Sequence, residues 1–199
     1  MTEYQFLFHK NLPANHLDFY VFNECFEETF IDDVCTRLAS KPLKNATTVK
    51  NNDGESQVDT KKRRTKVFWL PKTDEFFDVY RAIIEMVAQC NNAFYRFHLT
   101  GIHELIQYTV YAGEDQGFYG WHVDMTPTGN RKLSLVCQLS DPSEYDGGQL
   151  QINNGKIVDI EKKKGHVVIF PSYMLHRVTP VTRGVRKTLV VWIDGPPFT

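Results

Sequence analysis

The sequence lacks the features that mark membrane, secreted and nucleic-acid-binding proteins. It contains no apolar run of about 18 residues or more, and its first residues do not combine positive charge with a following apolar stretch, so we expect neither a transmembrane helix nor a secretory signal. The formal net charge is -1, from 23 basic and 24 acidic residues, so no overall field attracts nucleic acid or an anionic membrane. We therefore expect a cytoplasmic protein with no nucleic-acid or membrane partner.

Cysteine is also scarce. The four cysteines (Cys25, Cys35, Cys90 and Cys137) are scattered and form no C-x-x-C pair. This spacing excludes a zinc finger and a disulfide scaffold, and it is typical of reduced thiols inside a cell. Apolar residues make up 42% of the 199 residues and aromatic residues 13%, which is enough to bury the core of a single domain.

The first hundred residues alternate helical and strand-like patterns. Apolar residues recur at helical spacing over 28–38, and again in a segment that begins at Thr73 or Asp74 and ends near Asn91. Short strands are expected over 19–22 and 65–70. About residues 1–100 are therefore predicted to form a helical support.

Residues 50–64 separate the two predicted helices and contain almost no apolar side chains. A segment of this composition buries nothing, so we predict a long mobile loop. Its four final residues are basic, and we interpret them as the solvated base of the loop. Because the loop precedes the strand at 65–70, we expect it to act as a lid that closes over a substrate.

From residue 100 onward, short strands are separated by turn signals. This pattern indicates an antiparallel sandwich or barrel and not alternating strand–helix units, so the predicted fold class is mainly β with flanking helices. The turn signals are Asp146-Gly-Gly148, 153–155 and Thr182-Arg-Gly184. The predicted strands cover 105–110, 133–139, 148–152, 157–160, 167–170 and 187–193.

Two histidines are each followed two positions later by an aspartate. His122 and Asp124 lie in the strand-rich half, where residues i and i+2 point to the same face of a strand, so an imidazole and a carboxylate converge on one point. With one further histidine they would form the two-His-one-carboxylate face typical of non-haem Fe(II), which leaves coordination positions open. His16 and Asp18 have no comparable downstream partner, and we interpret them as a surface pair.

The third ligand is expected on another strand, with His166 and His176 as the candidates. His176 is favoured because Arg186 follows it by ten residues, across the predicted turn at 182–184. In such a hairpin Arg186 lies opposite about residue 179, roughly 10 Å from His176. This offset suits a five-carbon diacid that grips the metal at one end while the guanidinium binds its far carboxylate.

These residues also carry a family resemblance. The H-x-D motif, the distal histidine followed by arginine, and the segments 139–150 and 175–186 resemble the 2-oxoglutarate/Fe(II)-dependent dioxygenases. Within that superfamily they are most similar to the prolyl-4-hydroxylase-like group, specifically the PKHD-type hydroxylases. The resemblance covers about residues 105–193 and implies a double-stranded β-helix, a jelly-roll whose two sheets enclose the iron. About residues 101–199 would then be the catalytic jelly-roll of one domain that spans 1–199.

The resemblance implies a cofactor set, a reaction and further site residues. Fe(II) would be held by His122, Asp124 and His176, with 2-oxoglutarate as cosubstrate anchored by Arg186 and ascorbate as a candidate reductant. The reaction would hydroxylate an unactivated C–H bond, with a prolyl residue of a peptide or protein as the favoured substrate, and release succinate and CO2. The remaining implied roles are cosubstrate contacts for Tyr111 and Gln138, a substrate contact for Trp192, and a structural turn for Asp146-Gly-Gly148.

Three other functions remain open at this stage. The same chemistry on a small molecule is one alternative to the favoured prolyl substrate. A non-catalytic jelly-roll binding module fits less well, because the ligand set and Arg186 are both intact. A zinc hydrolase needs a spare general base near the ligands, which the sequence does not offer, and it leaves Arg186 unexplained.

Overall fold

A computed structural model describes residues 17–23, 25–49, 56–125 and 130–197. Two α-helices precede most of the strands, and α2 is preceded by a 3-10 turn and followed by a π-helical segment. The helical segments are α1 (Glu28–Ala39), the turn Asp74–Phe76, α2 (Phe77–Cys90), the π-helical segment Asn91–Tyr95 and a second 3-10 turn, Pro142–Glu144. The strands are β1 (Tyr20–Phe22), β2 (Lys44–Asn45), β3 (Thr48–Val49), β4 (Ser56–Gln57), β5 (Arg63–Arg64), β6 (Lys66–Leu70), β7 (Ile106–Ala112), β8 (Phe118–His122), β9 (Arg131–Gln138), β10 (Tyr145–Gly147), β11 (Leu150–Asn153), β12 (Ile157–Asp159), β13 (Val167–Pro171), β14 (Leu175–Val178) and β15 (Val181–Asp194).

Two antiparallel sheets form the body of the molecule. The large sheet has the order β1-β13-β9-β15-β7-β6-β2, with β10 paired to β15 beside this path, and the small sheet has the order β12-β11-β14-β8-β5. Most neighbours in these sheets are distant in sequence, with the hairpin of β11 and β12 as an exception, as expected when a chain passes repeatedly between two layers. The prediction of a mainly β, jelly-roll core with flanking helices is confirmed.

The helices cover the outer face of the large sheet. In α1 the apolar residues Ile31, Val34 and Leu38 are buried, because their spacing places them on one side of the helix. They join a core that contains alternate residues of the large sheet, such as Leu189 and Val191. A second core lies between the two sheets, so the large sheet is buried on both faces. None of the described helices is long and apolar enough to cross a membrane.

The predicted helices are present, and the end of the second differs from its prediction. The expected end near Asn91 is instead a change of helical form, because the chain continues as a π-helical turn to Tyr95. Arg96 then adopts a left-handed backbone conformation, with φ of 54°. Asn91 stabilises this end, since its side chain accepts a hydrogen bond from the Phe97 N–H and donates one to the Phe97 carbonyl.

Part of the predicted lid loop is not a solvated loop. Residues 50–55 lie outside the described residues, but β4 pairs with β3, and β5 pairs with β8 of the small sheet. Arg63, which we expected in the solvated base of the loop, is only 7% exposed. The composition of this segment predicted an exposed arginine. Strand pairing instead buries Arg63 beside polar side chains, and the local sequence does not show this pairing.

The hairpin predicted between His176 and Arg186 is also wrong. β14 pairs with β8 and β11 in the small sheet, whereas β15 pairs with β7, β9 and β10 in the large sheet. The predicted turn at Thr182-Arg-Gly184 lies inside β15, where Gly184 has φ of 70° and approaches the Glu144 carbonyl. The chain changes sheets at residues 179–180, so His176 and Arg186 belong to facing layers.

Candidate active site

Three side chains from two adjacent segments converge between the sheets. β8 ends at His122, which lies directly opposite His176 of β14 in the antiparallel pairing. Asp124 follows β8 by two residues and is fixed by its backbone N–H, which donates to the Ser172 carbonyl at 2.9 Å. The nitrogen and oxygen atoms of these three residues that could bind a metal all lie within 4.8 Å of one another. The structure thus brings together the three residues predicted as metal ligands.

Hydrogen bonds orient both imidazoles toward the carboxylate. His122 Nδ1 lies 2.8 Å from the Gly120 carbonyl, and His176 Nδ1 lies 2.9 Å from the Met174 carbonyl. An Nδ1–H that donates to a carbonyl leaves Nε2 as the atom with a free lone pair, which is the usual arrangement of metal-binding histidines. The two Nε2 atoms lie 3.6 and 3.5 Å from the Asp124 oxygens, too far for a good hydrogen bond but suited to ligands of one ion. This donor set fits Fe(II).

The electrostatics of the cluster favour the forms that bind a metal. Burial lowers the pKa of His176 to about 4, against the opposing attraction of Asp124, so this imidazole is neutral near pH 7. Burial alone would raise the pKa of the Asp124 carboxyl, but His176, His122 and the hydrogen bond from Ser134 together hold it well below its usual range. A neutral imidazole and an ionised carboxylate are the protonation states that ligation requires.

A serine pair supports the carboxylate, and sequence reasoning missed this role. Ser134 Oγ donates to Asp124 Oδ2 at 2.7 Å and lies 3.0 Å from Ser172 Oγ. Both serines are fully buried. The alternation of β9 placed Ser134 on the inner strand face, but only the folded structure shows that Asp124 crosses the gap to meet it. The metal group is therefore tied to both sheets.

An open cavity of about 410 Å³ lies beside the three residues. Arg186 forms part of its wall and is 2% exposed, and its Nε and Nη1 atoms have no hydrogen-bond partner within the described part of the chain. The same is true of Thr188 Oγ1 and Trp192 Nε1, which follow on the same face of β15. Buried donors without partners are costly, so this wall suits a ligand that supplies acceptors.

Gln138 and Tyr145 meet next to Arg186. The Gln138 Nε2 atom donates to the Tyr145 hydroxyl at 2.9 Å and to the Ser140 carbonyl at 3.3 Å, so both amide hydrogens are used. Burial raises the pKa of the Tyr145 phenol, and the adjacent Arg186 guanidinium opposes this rise. Since the Tyr145 oxygen accepts from Gln138, its own hydrogen is available to an anion held by Arg186.

Gly148 makes room for this group. Its φ is +60°, and a Cβ built there would lie 2.9 Å from Arg186 Cδ, 2.8 Å from Val181 Cγ2 and 3.2 Å from Tyr145 Cε2. The Asp146-Gly-Gly148 segment, interpreted from sequence as a turn, therefore also packs against the arginine wall of the cavity.

The two other sequence-predicted residues also line the cavity. Tyr111 lies opposite Arg186 on β7, with the guanidinium carbon 5.1 Å from its ring centre. Trp192 is covered by the Arg131 guanidinium, 3.8 Å from its ring centre. Glu104 holds Arg131 through a bidentate ion pair at 2.5 and 2.6 Å, which fixes the edge of the cavity.

His166, the rejected candidate for the third metal ligand, lies elsewhere. His166 is on the far side of Arg186, with Nδ1 3.7 Å from Glu161, and it lines a second cavity together with Gln138. His16 lies outside the described residues, while Asp18 accepts a hydrogen bond from Asn154 at 2.7 Å.

Known sequences match the second half of the chain. The sequence model of the 2OG-Fe(II) oxygenase superfamily matches residues 106–194. A PKHD-type hydroxylase from Synechococcus sp. (strain CC9605) is 42% identical over 98 residues, which are 47% of this chain and 43% of the relative. Another from Acidovorax ebreus is 42% identical over 90 residues, or 41% and 40% of the two chains. The matched part thus spans less than half the length of these curated relatives.

Solved structures match nearly the whole chain. A prolyl-4-hydroxylase from Pseudomonas putida has a TM-score of 0.69 at 22% identity, over 89% of this chain and 92% of its own. A prolyl hydroxylase from Trichoplax adhaerens, solved in complex with a hypoxia inducible factor oxygen degradation domain peptide fragment, has a TM-score of 0.75 at 18% identity, over 89% and 83%. At these identities the likeness establishes the fold.

Proposed function

We propose that the protein is an Fe(II)- and 2-oxoglutarate-dependent hydroxylase, because residues 106–194 match the sequence model of the 2OG-Fe(II) oxygenase superfamily. One observation carries the proposal: the His122–Asp124–His176 group shares a cavity with the buried guanidinium of Arg186. A metal group alone would also suit other metalloproteins. A metal group that shares a cavity with a buried cation, for which the described residues offer no carboxylate partner, suits a metal-chelating acid with a second, distal carboxylate.

Each residue has a task in this proposal. His122, Asp124 and His176 would hold Fe(II), which with 2-oxoglutarate and dioxygen would supply the oxidation of a C–H bond, with succinate and CO2 as the by-products. Arg186 binds the distal carboxylate of 2-oxoglutarate through its two buried N–H groups. The Tyr145 hydroxyl adds a third donor at this end, with Gln138 as the residue that positions it. Tyr111 and the Thr188 hydroxyl line the space between the metal and the anchor.

The proposed substrate is a prolyl residue of a peptide or protein. The solved structures of the same fold include prolyl hydroxylases, one of them in complex with a peptide fragment. In this chain Trp192 lines the cavity, and its flat apolar ring is suited to pack against a pyrrolidine ring. All four cysteines are free, which supports the proposed cytoplasmic location, where ascorbate is a candidate reductant.

The experiment that tests this function measures two products. Purified protein is incubated with Fe(II), 2-oxoglutarate, ascorbate and a library of proline-containing peptides, and succinate and peptides heavier by one oxygen atom are measured. We expect the two products in equal amounts with a substrate peptide, and neither product from Asp124→Ala. Absence of succinate under all conditions would support a non-catalytic binding module. Succinate without any hydroxylated peptide would favour a small-molecule substrate.

A further inference from the structure

Arg63 lines the active-site cavity that Arg186 also lines. It belongs to the two-residue strand β5 and lies opposite Tyr119 of β8. Its guanidinium carbon lies 4.7 Å from the centre of the Tyr119 ring, which in turn stacks on His122 with a centroid distance of 3.5 Å. The Tyr119 ring thus lies between the Arg63 guanidinium and His122 and contacts both.

No carboxylate of the described residues balances this charge. Arg63 Nε donates to Thr65 Oγ1 and one Nη2 hydrogen to Gln107 Oε1, both at 2.7 Å, and both acceptors are neutral. Buried arginines are normally paired with an acid, because an isolated charge loses its hydration without compensation. With Arg63 only 7% exposed, this charge favours the binding of an anion in the cavity.

The surroundings of Arg63 offer hydrogen-bond donors. Gln107 lines the same cavity, and its Oε1 already accepts from Arg63 and, at 3.1 Å, from Thr109. Its Nε2 hydrogens form no hydrogen bond with the part of the chain that the structure describes. The hydrogen-bonding groups of Arg63 and Gln107 that remain free are therefore all N–H donors. Two or more N–H donors side by side match the two oxygens of a carboxylate.

The cosubstrate is too short to meet both arginines. Gln107 lies opposite Val190 on β15, four positions beyond Arg186, so about 13 Å of strand separates the two sites. A fully extended five-carbon diacid places its carboxyl carbons only about 5 Å apart. If Arg186 binds the distal carboxylate, a different molecule must supply the anion for Arg63.

We propose that Arg63, together with Gln107, binds a carboxylate of the hydroxylated substrate. This inference rests on the proposed function and narrows its substrate class to molecules that carry an acidic group close to the reacting carbon. In a peptide, the carboxylate belongs either to an Asp or Glu side chain next to the proline or to a C-terminal carboxyl group. Tyr119 lies between this anion site and His122, so it sets the distance from the carboxylate to the metal.

The test compares matched acid and amide peptides. Peptides that contain Pro-Glu are paired with Pro-Gln, and peptides that end in proline carboxylate are paired with proline amide. Binding to the protein loaded with Mn(II) and 2-oxoglutarate is measured by calorimetry, and hydroxylation by the Fe(II) enzyme is measured by mass. We expect the acid member of at least one pair to bind at least about ten-fold more tightly, because a charge-assisted bidentate pair is lost in the amide.

Variants of adjacent arginines make the test specific. Arg63→Met should abolish the difference between acid and amide, and Arg63→Lys should keep part of it, since lysine retains charge without the fork. Arg64→Met is the matched control, because Arg64 lies next in β5 with its guanidinium over Phe118, and it should preserve the difference.

Three results would overturn the assignment. The first is that the unmodified protein binds and hydroxylates the acid and the amide peptide of every pair equally, or binds neither. The second is a preference for acids that persists in Arg63→Met. The third is a larger effect of Arg63→Met on the 2-oxoglutarate requirement than on the peptides, which would place Arg63 on the cosubstrate. Hydroxylation of any proline peptide by the Fe(II) enzyme, whether acid or amide, reports the proposed function separately, so failure of the two proposals is distinguishable.

Discussion

Ser134 is a residue on which the metal group depends without being a ligand. Its hydroxyl donates to Asp124 at 2.7 Å and fixes the carboxylate between the two imidazoles. Removal of such a supporting hydrogen bond typically weakens metal binding about 10- to 100-fold. We expect this loss of Fe(II) affinity in Ser134→Ala, measured by anaerobic titration. Ser143→Ala, which removes an exposed hydroxyl bonded to Asp141, is the control and should leave the affinity unchanged.

Arg186 should determine the affinity for 2-oxoglutarate without holding the metal. Truncation of one partner of a buried charged pair costs about 2–5 kcal/mol. Since about 1.4 kcal/mol corresponds to a ten-fold change in Kd, Arg186→Ala should bind 2-oxoglutarate some tens to thousands of fold more weakly. Its affinity for Fe(II) should change little. Arg186→Lys should recover part of the loss. Half-saturation of succinate formation and equilibrium binding of 2-oxoglutarate both measure the effect.

The control for Arg186 is Arg183, three positions earlier on the same strand. Arg183 is exposed and pairs with Asp146 at 2.6 Å, a surface ion pair that contributes little. Arg183→Ala should therefore leave the 2-oxoglutarate requirement unchanged. A requirement that rises in Arg183→Ala and not in Arg186→Ala would contradict the anchor described here.

At the scale of elements, the connection from β10 to β11 shapes the cosubstrate end of the cavity. Gly148→Ala places a methyl group against Arg186 Cδ at 2.9 Å and against Tyr145 Cε2 at 3.2 Å. A displacement of about 1 Å at a positioning residue can cost about 100-fold in rate. We expect kcat/KM for 2-oxoglutarate to fall about 10- to 100-fold in this variant.

Gly155→Ala separates backbone strain from crowding. Gly155 also has a positive φ, +101°, but a Cβ there meets nothing within 4 Å. Gly155→Ala should lose about 1–2 kcal/mol of unfolding free energy, because L-residues disfavour this backbone region, and Gly148→Ala should lose at least as much, because its methyl group is also crowded. Only Gly148→Ala should alter the 2-oxoglutarate requirement, and an equal effect of both variants would show that strain alone is responsible.

At the scale of the whole molecule, the metal site connects the two layers. His122 and His176 belong to the small sheet, and Asp124 is bonded to Ser134 of the large sheet. An ion held by these three ligands would bind the folded protein and not the unfolded chain, so it would stabilise the folded state by mass action. Free Fe(II) at about 100 times its Kd should raise the free energy of unfolding by about 2.7 kcal/mol and Tm by roughly 5 to 10 °C.

This stabilisation is measured by thermal unfolding under anaerobic conditions, with and without Fe(II). Asp124→Asn keeps the shape of the side chain but removes its charge, so its Tm should respond little to the metal. A full rise of Tm in Asp124→Asn would show that Fe(II) binds at another site.

Features that depend on short-range geometry could be predicted from the sequence alone. The spacing of Ile31, Val34 and Leu38 predicted α1, because residues on one helix face recur with a fixed period. The H-x-D spacing predicted that His122 and Asp124 converge, since residues two apart on an extended chain share a face. Alternation along β15 likewise predicted that Arg186 and Trp192 share a face.

Only the tertiary structure decided how these pieces meet. His176 and Arg186 lie in facing sheets and not in one hairpin, because strand pairing depends on contacts between segments distant in sequence. The burial of Arg63 depends on Thr65 and on Gln107, which lies 44 positions away on β7. The same holds for the hydrogen bond from Ser134 to Asp124 and for the packing of Gly148 on Arg186. Both contacts need the two layers in place, because no local pattern shows which side chains face each other across a core.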